Sequence, residues 1–166
     1  YYCEQLLRPG RVFIFGGGHV SQALVPALSR VDFRCIVCED RPDFTRRERV
    51  PDAEEIRLMD MSELSAVASE INEYDYICIV TRGHTNDLDV QRAMMTTKAR
   101  YIGVIGSANK QRFVKEKLME YGFREEDFKN VVSPIGLPIG AVTPEEIAVS
   151  VASQLIMVRA GKGATL

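Results

Sequence analysis

The strongest structural signal in the 166-residue chain is Val12-Phe13-Ile14-Phe15-Gly16-Gly17-Gly18-His19-Val20-Ser21. A short apolar run leads directly into three glycines, and a helical pattern follows. This order predicts a strand, a tight turn and the start of a helix. Because glycines carry no side chain, a ligand can lie against the backbone of the turn. The first N–H groups of the helix would then attract a phosphate or pyrophosphate.

The motif reads G-x-G-x-x-S, which departs from the dinucleotide fingerprint G-x-G-x-x-G at Ser21. Support for the motif comes from the rest of the chain, where strand and helix patterns alternate. Strands are predicted at residues 11–15, 33–39, 55–59, 75–81, 101–105 and 131–132. Such alternation predicts an α/β fold with a doubly wound parallel sheet, Rossmann-like, in the order 3-2-1-4-5-6.

The predicted domain organisation is simple. Residues 11–161 are expected to form a single Rossmann-like domain, preceded by a lead-in at residues 1–10 and followed by a tail at residues 162–166. The chain begins with Tyr1 rather than Met, so we expect the lead-in to come from an upstream domain.

Composition excludes several classes of function. A net charge of −2 and a pI near 5.8 argue against a nucleic-acid surface, and no apolar run is long enough to cross a bilayer. We therefore expect neither nucleic-acid nor membrane partners. Free cysteines without a disulfide framework are typical of the reducing cytoplasm, where we expect the protein to reside.

Cys35 and Cys38 form a C-x-x-C pattern, but they lie within a predicted strand. Residues three apart on a strand point to opposite faces of the sheet, so this pair is expected to be two buried thiols rather than a redox or metal site. No other part of the chain has the spacing of zinc ligands, and no resident metal is predicted.

Polar residues follow the predicted strands at the edge where open α/β sheets bind their ligands. Glu39 ends the second strand 23 residues after Gly16, which fits the spacing of about 20 residues for an acid that binds a ribose hydroxyl. An acid there disfavours a 2′-phosphate, although Arg41 follows closely. We therefore predict nucleotide-type binding, with NAD(P) as one candidate ligand.

The two histidines, His19 and His84, follow the first and fourth strands, which are neighbours in the predicted order. We expect both to face one cleft with the glycines between them, and we favour a functional role over that of solvated helix-start and turn residues. Proton transfer, metal binding and phosphate binding remain open for them. The residues that accompany His84 are Arg82, Thr85, Asn86 and Asp87.

The helix after the fifth strand begins with Ser107, Asn109, Lys110 and Arg112. Cations near a helix N-terminus oppose the helix dipole, and a bound anion would remove that conflict. A solvated basic face is an equally good interpretation of the same residues.

Six segments of the chain, in order, carry a resemblance to a known family. They are Phe15-Gly16-Gly17-Gly18-His19-Val20, Glu39-Asp40-Arg41-Pro42, Thr81-Arg82-Gly83-His84, Tyr101-Ile102-Gly103-Val104-Ile105-Gly106-Ser107, Ser133-Pro134-Ile135-Gly136-Leu137 and Thr143-Pro144-Glu145-Glu146-Ile147-Ala148-Val149-Ser150. Together they resemble the Rossmann-like C-terminal domain of the XdhC/CoxI family, the accessory proteins of xanthine dehydrogenase and related molybdenum hydroxylases. Ala108 and Asn109 stand where the family often has arginines.

The resemblance implies an accessory protein rather than an enzyme with its own turnover. Such a chaperone binds the molybdenum cofactor (molybdopterin), protects it during sulfuration with a cysteine desulfurase, and delivers it to a hydroxylase such as xanthine dehydrogenase. It also implies a homodimer. The alternatives are an NAD(P)-dependent oxidoreductase and a nucleotide-sensing Rossmann domain.

No catalytic residue is assigned from the sequence. The glycines, His19, His84 and Asp87 match the family's motif-bearing crevice. The complete set of candidate cofactor-binding residues is Gly16, Gly17, Gly18, His19, Val20, Glu39, Asp40, Arg82, His84, Asp87, Ser107 and Lys110.

Overall fold

A computed structural model describes residues 10–81 and 84–163, and the side chains of Met61, His84, Thr85, Asn86 and Ala108 lie outside this description. Six strands form one parallel sheet in the order β3-β2-β1-β4-β5-β6. They are β1 (Arg11–Phe15), β2 (Arg34–Glu39), β3 (Glu55–Leu58), β4 (Tyr76–Ile79), β5 (Tyr101–Val104) and β6 (Val131–Val132). The predicted Rossmann-like fold and strand order are confirmed.

Five α-helices within the described residues cover the sheet. They are α1 (His19–Ser29), α2 (Leu64–Glu70), α3 (His84–Met94), α4 (Ala108–Glu120) and α5 (Pro144–Arg159). Helices α1 and α5 pack on the face that receives Val12 and Ile14 of β1, while α2 and α3 pack on the face that receives Phe13 and Phe15. Helix α4 lies beside α3. Among the helices of the described residues, none is long and apolar enough to span a membrane.

The central strands are buried on both faces, as continuous apolar runs in a parallel sheet require. All four residues of β4 are buried, and so are Cys35 and Cys38 on β2. Cys35 belongs to the core on the α1 side and Cys38 to the core on the α2 side, which confirms that they face opposite ways. Burial raises the pKa of each thiol to about 12, so both stay protonated at neutral pH. Cys3 lies outside the described residues.

Strand β4 is shorter than the predicted segment 75–81. Asp75 lies just before the strand, where its N–H donates to the carbonyl oxygen of Asn72 at 3.1 Å. Its buried carboxylate accepts hydrogen bonds from Arg11 at 2.7 and 3.0 Å and from the N–H of Asn72 at 2.9 Å. At the other end, the N–H of Val80 donates to the carbonyl oxygen of Phe15 at 2.9 Å. Val80 then lies against the glycines that follow β1, because a Cβ on Gly16 would be 2.8 Å from its carbonyl oxygen. The sheet therefore opens at its carboxyl edge between β1 and β4, the switch point of this fold.

Candidate functional site

The three glycines at residues 16–18, here called the glycine turn, differ in what surrounds them. Gly16 has φ +107°, a conformation that L side chains rarely adopt. A Cβ on Gly17 would lie 2.8 Å from the carbonyl oxygen of Phe44. A Cβ on Gly18, by contrast, would have no heavy atom of the described residues within 4 Å. The turn is therefore packed against the protein on one side and open at Gly18.

Helix α1 begins at this opening without a cap of its own. Gly18 is the N-cap residue, no side chain within the described part of the chain caps the helix, and the first turn of α1 contains no acid. Its first N–H groups therefore point toward whatever lies beyond Gly18, and the helix dipole favours an anion there. The arrangement can hold a phosphate by backbone N–H donors.

Ser21, the residue that breaks the dinucleotide fingerprint, is fully buried. Its hydroxyl donates a hydrogen bond to the carbonyl oxygen of Gly16. Gln22 donates from Nε2 to the carbonyl oxygen of Gly17 at 3.1 Å. Two side chains of α1 thus hold the turn from inside, so the serine supports the turn's geometry.

Glu39 joins the end of β2 to the glycine turn. Its Oε2 accepts the N–H of Gly17 at 2.6 Å and Nη2 of Arg41 at 2.8 Å, and its Oε1 accepts Nε of Arg41 at 2.8 Å. The backbone N–H groups of Asp40 and Arg41 also donate to Oε1, each at 3.1 Å. The guanidinium of Arg41 lies 3.9 Å over the ring of Phe44, which fixes its plane.

These contacts keep Glu39 ionised. Burial opposes the charged form, but hydrogen bonds from Arg41, Asp40 and the N–H of Gly17 outweigh it and lower the pKa of Glu39 to about 2. The pKa of the neighbouring Asp40 carboxyl is raised instead, by its hydrogen bond with Glu39, by partial burial and by the negative charge of Glu39.

A cavity of about 90 Å³ adjoins the glycine turn, and we call it the turn cavity. Its walls are apolar toward α2 and α3 and polar at the end of β2. It is lined by Phe15, Gly16, Cys38, Glu39, Asp40, Arg41, Met59, Leu64, Thr81 and Val90. The recess combines apolar walls with a few polar groups, a type of lining that is common in small-molecule sites.

Asp87 and Lys110 occupy the next part of the edge, and their side chains meet. Asp87 is fully buried, accepts a hydrogen bond from the Thr81 hydroxyl and forms an ion pair with the ammonium of Lys110. Ser107 is the N-cap of α4, where its hydroxyl accepts the N–H of Lys110 at 3.4 Å. These contacts connect the end of β4 with α3 and α4. That these side chains contact a cofactor remains a prediction.

The remaining predicted site residues are dispersed. His19 is exposed and lines a groove between α1 and α5 with Gln22, Pro144 and Glu145, rather than the turn cavity. Val20 packs partly against the core beneath α1. Arg82 lies outside the described residues. His84 is the first residue of α3, and its side chain lies outside the description, so the shared cleft proposed for the two histidines remains a prediction.

Two features were not predicted from the sequence: the contact of the Phe44 ring with Arg41, and a second cavity. An aromatic residue in an otherwise charged segment was the available signal for Phe44. The second cavity, of about 690 Å³, lies between β5, residues 133–141 and α5. The buried amide oxygen of Gln154 contributes to its wall and accepts hydrogen bonds from the Tyr101 hydroxyl and, at 2.8 Å, from the N–H of Gly136.

The strand order, the helices on both faces of the sheet and the glycine turn after β1 define a Rossmann-like domain. The family model described as the XdhC Rossmann domain matches residues 12–155. The chain therefore belongs to the XdhC family, as its Rossmann domain, and the predicted resemblance is confirmed.

Two relatives match nearly the whole chain. A probable xanthine dehydrogenase subunit of Bacillus subtilis (strain 168) is 28% identical over 149 residues, covering 90% of this chain and 43% of that protein. An uncharacterized protein, YqeB, of Escherichia coli (strain K12) is 25% identical over 153 residues, covering 92% and 28%. The chain thus spans less than half the length of either curated relative.

A solved structure is also similar. The crystal structure of a xanthine dehydrogenase from Bacillus halodurans matches with a TM-score of 0.78 and 30% sequence identity, covering 93% of this chain and 44% of that chain.

Proposed function

We propose that this domain belongs to an accessory protein of a xanthine-dehydrogenase-type molybdenum hydroxylase and that its glycine turn binds the phosphate of the molybdenum cofactor. The observation that carries the proposal is the uncapped start of α1 at Gly18, where space and N–H donors coincide. The family and the names of the relatives supply the link to xanthine dehydrogenase.

The residues present suit this group. Molybdopterin is a pterin that carries a phosphate, and in bacteria it often carries a nucleotide as well. The phosphate would lie against the N–H groups beyond Gly18, and Ser21 and Glu39 hold the turn that presents them. When bound, the cofactor supplies the molybdenum chemistry of the hydroxylase that receives it, while this chain binds, orients and shields the phosphate end.

The wider role that we propose is cofactor handling rather than turnover. The protein would hold the cofactor while a cysteine desulfurase supplies sulfur, act as a homodimer in the cytoplasm, and transfer the cofactor to the apo-hydroxylase. Since the chain spans less than half of its curated relatives, the parts of the longer protein would share these tasks.

A nucleotide-binding role with NAD(P) is the second candidate, as an oxidoreductase or a sensor. It is favoured by the turn cavity, whose apolar walls adjoin Gly16 as an adenine pocket would. Titration of the full-length protein with NADH and NADPH, followed by nucleotide fluorescence, tests it. Absence of binding at millimolar nucleotide would exclude this candidate.

The accessory role is tested in cells that lack the gene. We expect the hydroxylase to accumulate as inactive protein with a depleted or unsulfurated cofactor, and wild-type protein to restore its activity. Gly18→Asp should fail to restore activity, whereas Gly18→Ser, which adds a neutral cap, should restore at least part of it. A hydroxylase that matures normally without the protein contradicts the proposal.

A further inference from the structure

A further cavity, of about 780 Å³, lies between α3, α4, the segment 125–129 and β6, and we call it the α4 cavity. Sites that bind small molecules in proteins usually enclose about 300 to 1,000 Å³. Among the described residues, none lines both the α4 cavity and the turn cavity beside the glycines. The α4 cavity is therefore a candidate for a binding site separate from the glycine turn.

Gln91 on α3 is the most deeply buried residue in the wall of this cavity, with 2% of its surface exposed. Its Nε2 donates to Sδ of Met95 at 3.8 Å. In the part of the chain that the structure describes, no group donates a hydrogen bond to its buried Oε1. A buried oxygen without a donor costs free energy, so a native protein normally receives one from its own chain, from water or from a ligand. The inner end of the α4 cavity therefore presents an acceptor that needs a donor.

The charges on the walls of the α4 cavity do not cancel. Both acids of the wall have basic partners, at 2.5 Å in each case: Glu125 with Lys115, and Glu126 with Arg124. Arg112 and Lys129 also line the cavity, and within residues 10–81 and 84–163 the side chain of neither forms an ion pair or a hydrogen bond. Two positive charges thus remain. A phosphate monoester carries about −1.5 to −2 at pH 7 and would neutralise both.

The position of Arg112 separates this site from the N-terminus of α4. Ser107 caps the first turn of the helix, and Lys110 is already paired. Arg112 lies beyond them and faces the cavity together with Lys115, three residues further along the same helix face. The ring of Phe128 adjoins them in the wall, with its centroid 5.2 Å from Nζ of Lys115. These basic residues of α4 therefore border a cavity rather than forming only a solvated face.

We propose that the α4 cavity binds a phosphate monoester that carries a hydroxyl or amino group at its other end. The phosphate lies between Arg112 and Lys129, and the hydroxyl or amino group donates to Oε1 of Gln91. A sugar phosphate and a nucleoside monophosphate share this chemistry. The site is independent of the glycine turn, so the domain would bind a second, smaller ligand in addition to the cofactor proposed above.

Isothermal titration of the full-length protein at pH 8, where phosphate monoesters are dianions, tests the ligand class. Ribose 5-phosphate and AMP combine a phosphate with hydrogen-bond donors, methyl phosphate lacks the donors, and ribose lacks the phosphate. We expect ribose 5-phosphate, AMP or both to bind about tenfold more tightly than methyl phosphate, because only they supply a donor to Gln91. The tighter of the two identifies the source as a sugar phosphate or a nucleotide. Ribose alone should not bind at the same concentrations.

Variants of the wall assign the binding to this cavity. Arg112→Gln should weaken every phosphate ligand about tenfold. Gln91→Met should abolish the preference over methyl phosphate without weakening methyl phosphate itself. It should also keep or raise the midpoint of urea unfolding, since it removes an unpaired buried oxygen, whereas loss of a purely structural glutamine would lower the midpoint. The matched control is Lys117→Gln, a cation of the same helix that pairs with Glu120 outside the cavity, and it should bind like the wild type.

Gly18→Asp distinguishes this site from the glycine turn, and it should leave the binding of ribose 5-phosphate unchanged. If Gly18→Asp abolishes that binding while Arg112→Gln retains it, the phosphate lies on the glycine turn, which overturns this inference and supports the proposed function. Equal affinities for methyl phosphate and the donor-bearing esters, an unchanged preference in Gln91→Met, or no binding of either ester at millimolar concentration would overturn this inference alone. Retention of pterin by the same protein is measured separately and reports on the proposed function.

Discussion

The turn between β1 and α1 and the turn between β5 and α4 begin alike. Each follows a buried parallel strand, and each contains a glycine with positive φ, +107° at Gly16 and +145° at Gly106. The first then continues through Gly18, which leaves the start of α1 uncapped. The second continues through Ser107, whose hydroxyl caps α4.

Their charged neighbours differ as well. At α4 the cation that a ligand would need, Lys110, already pairs with the buried Asp87. At α1 the buried acid Glu39 binds the backbone of the turn and leaves the helix N-terminus open. A glycine followed by a helix therefore does not by itself make an anion site. The N-cap residue and the partners of nearby charges decide whether the N–H groups remain available to a ligand.

The largest expected effect on stability comes from adding a side chain at the two glycines with positive φ, Gly16 and Gly106. Gly16→Ala should destabilise the fold by about 4 kcal/mol, since it adds backbone strain to a contact of 2.8 Å with the carbonyl oxygen of Val80. Gly106→Ala should cost about 2 kcal/mol, because its Cβ meets side-chain atoms of Gln111 and Lys110 rather than backbone. Urea unfolding measures both, and equal losses would contradict the steric argument.

Asp87→Asn tests whether the α4 turn is held by an internal ion pair. Removing the charge leaves the mostly buried ammonium of Lys110 without its counterion, so we expect a loss of about 3 kcal/mol in unfolding free energy. Asp89→Asn, which alters an exposed pair with Arg92 on the same helix, should change it by less than about 0.5 kcal/mol. Loss of cofactor with unchanged stability would instead assign Asp87 to ligand binding.

Glu39, the acid at the α1 turn, should make the stability of the protein depend on pH. In the folded protein the pKa of Glu39 is lowered from about 4.5 to about 2, so its stabilisation is fully present above pH 4.5. It is lost as the pH falls from there toward 2. Glu39→Gln should therefore cost about 2 kcal/mol at pH 7 and progressively less below pH 4.5. A constant difference between wild type and variant from pH 7 to pH 3 would contradict this account.

Ser107→Ala gives the smallest effect. Loss of the cap should destabilise the protein by about 1 kcal/mol, and Ser107→Gly should cost only a few tenths of a kcal/mol. Cofactor binding should be unaffected by either change if α4 carries no ligand. A selective loss of cofactor in Ser107→Gly would show that the two turns are functionally more alike than their caps indicate.

Local patterns were sufficient to predict the fold. The apolar runs of β1 and β4 identify strands covered on both faces, and the three glycines place the turn at the switch point. The alternation of side chains along a strand was enough to separate Cys35 from Cys38. Each of these features depends on neighbours in sequence.

The site was predicted less completely because its contacts join distant segments. The hydrogen bond from Gly17 to Glu39 depends on the packing of β1 against β2, so spacing alone could mark Glu39 but not show that its acceptors are occupied. The pairing of Asp87 with Lys110 likewise depends on how α3 packs beside α4. Sequence indicates which residues gather at the edge, and packing decides which of them face a ligand.

Gly18→Asp tests the central claim, that the open start of α1 binds the phosphate of the cofactor. Aspartate is a good N-cap residue, and the position has space for a side chain, so the variant should fold with at least wild-type stability. Its carboxylate would occupy the anion site. Pterin fluorescence of purified full-length protein should then fall about tenfold or more relative to wild type. A stable Gly18→Asp protein with undiminished pterin content would contradict the account.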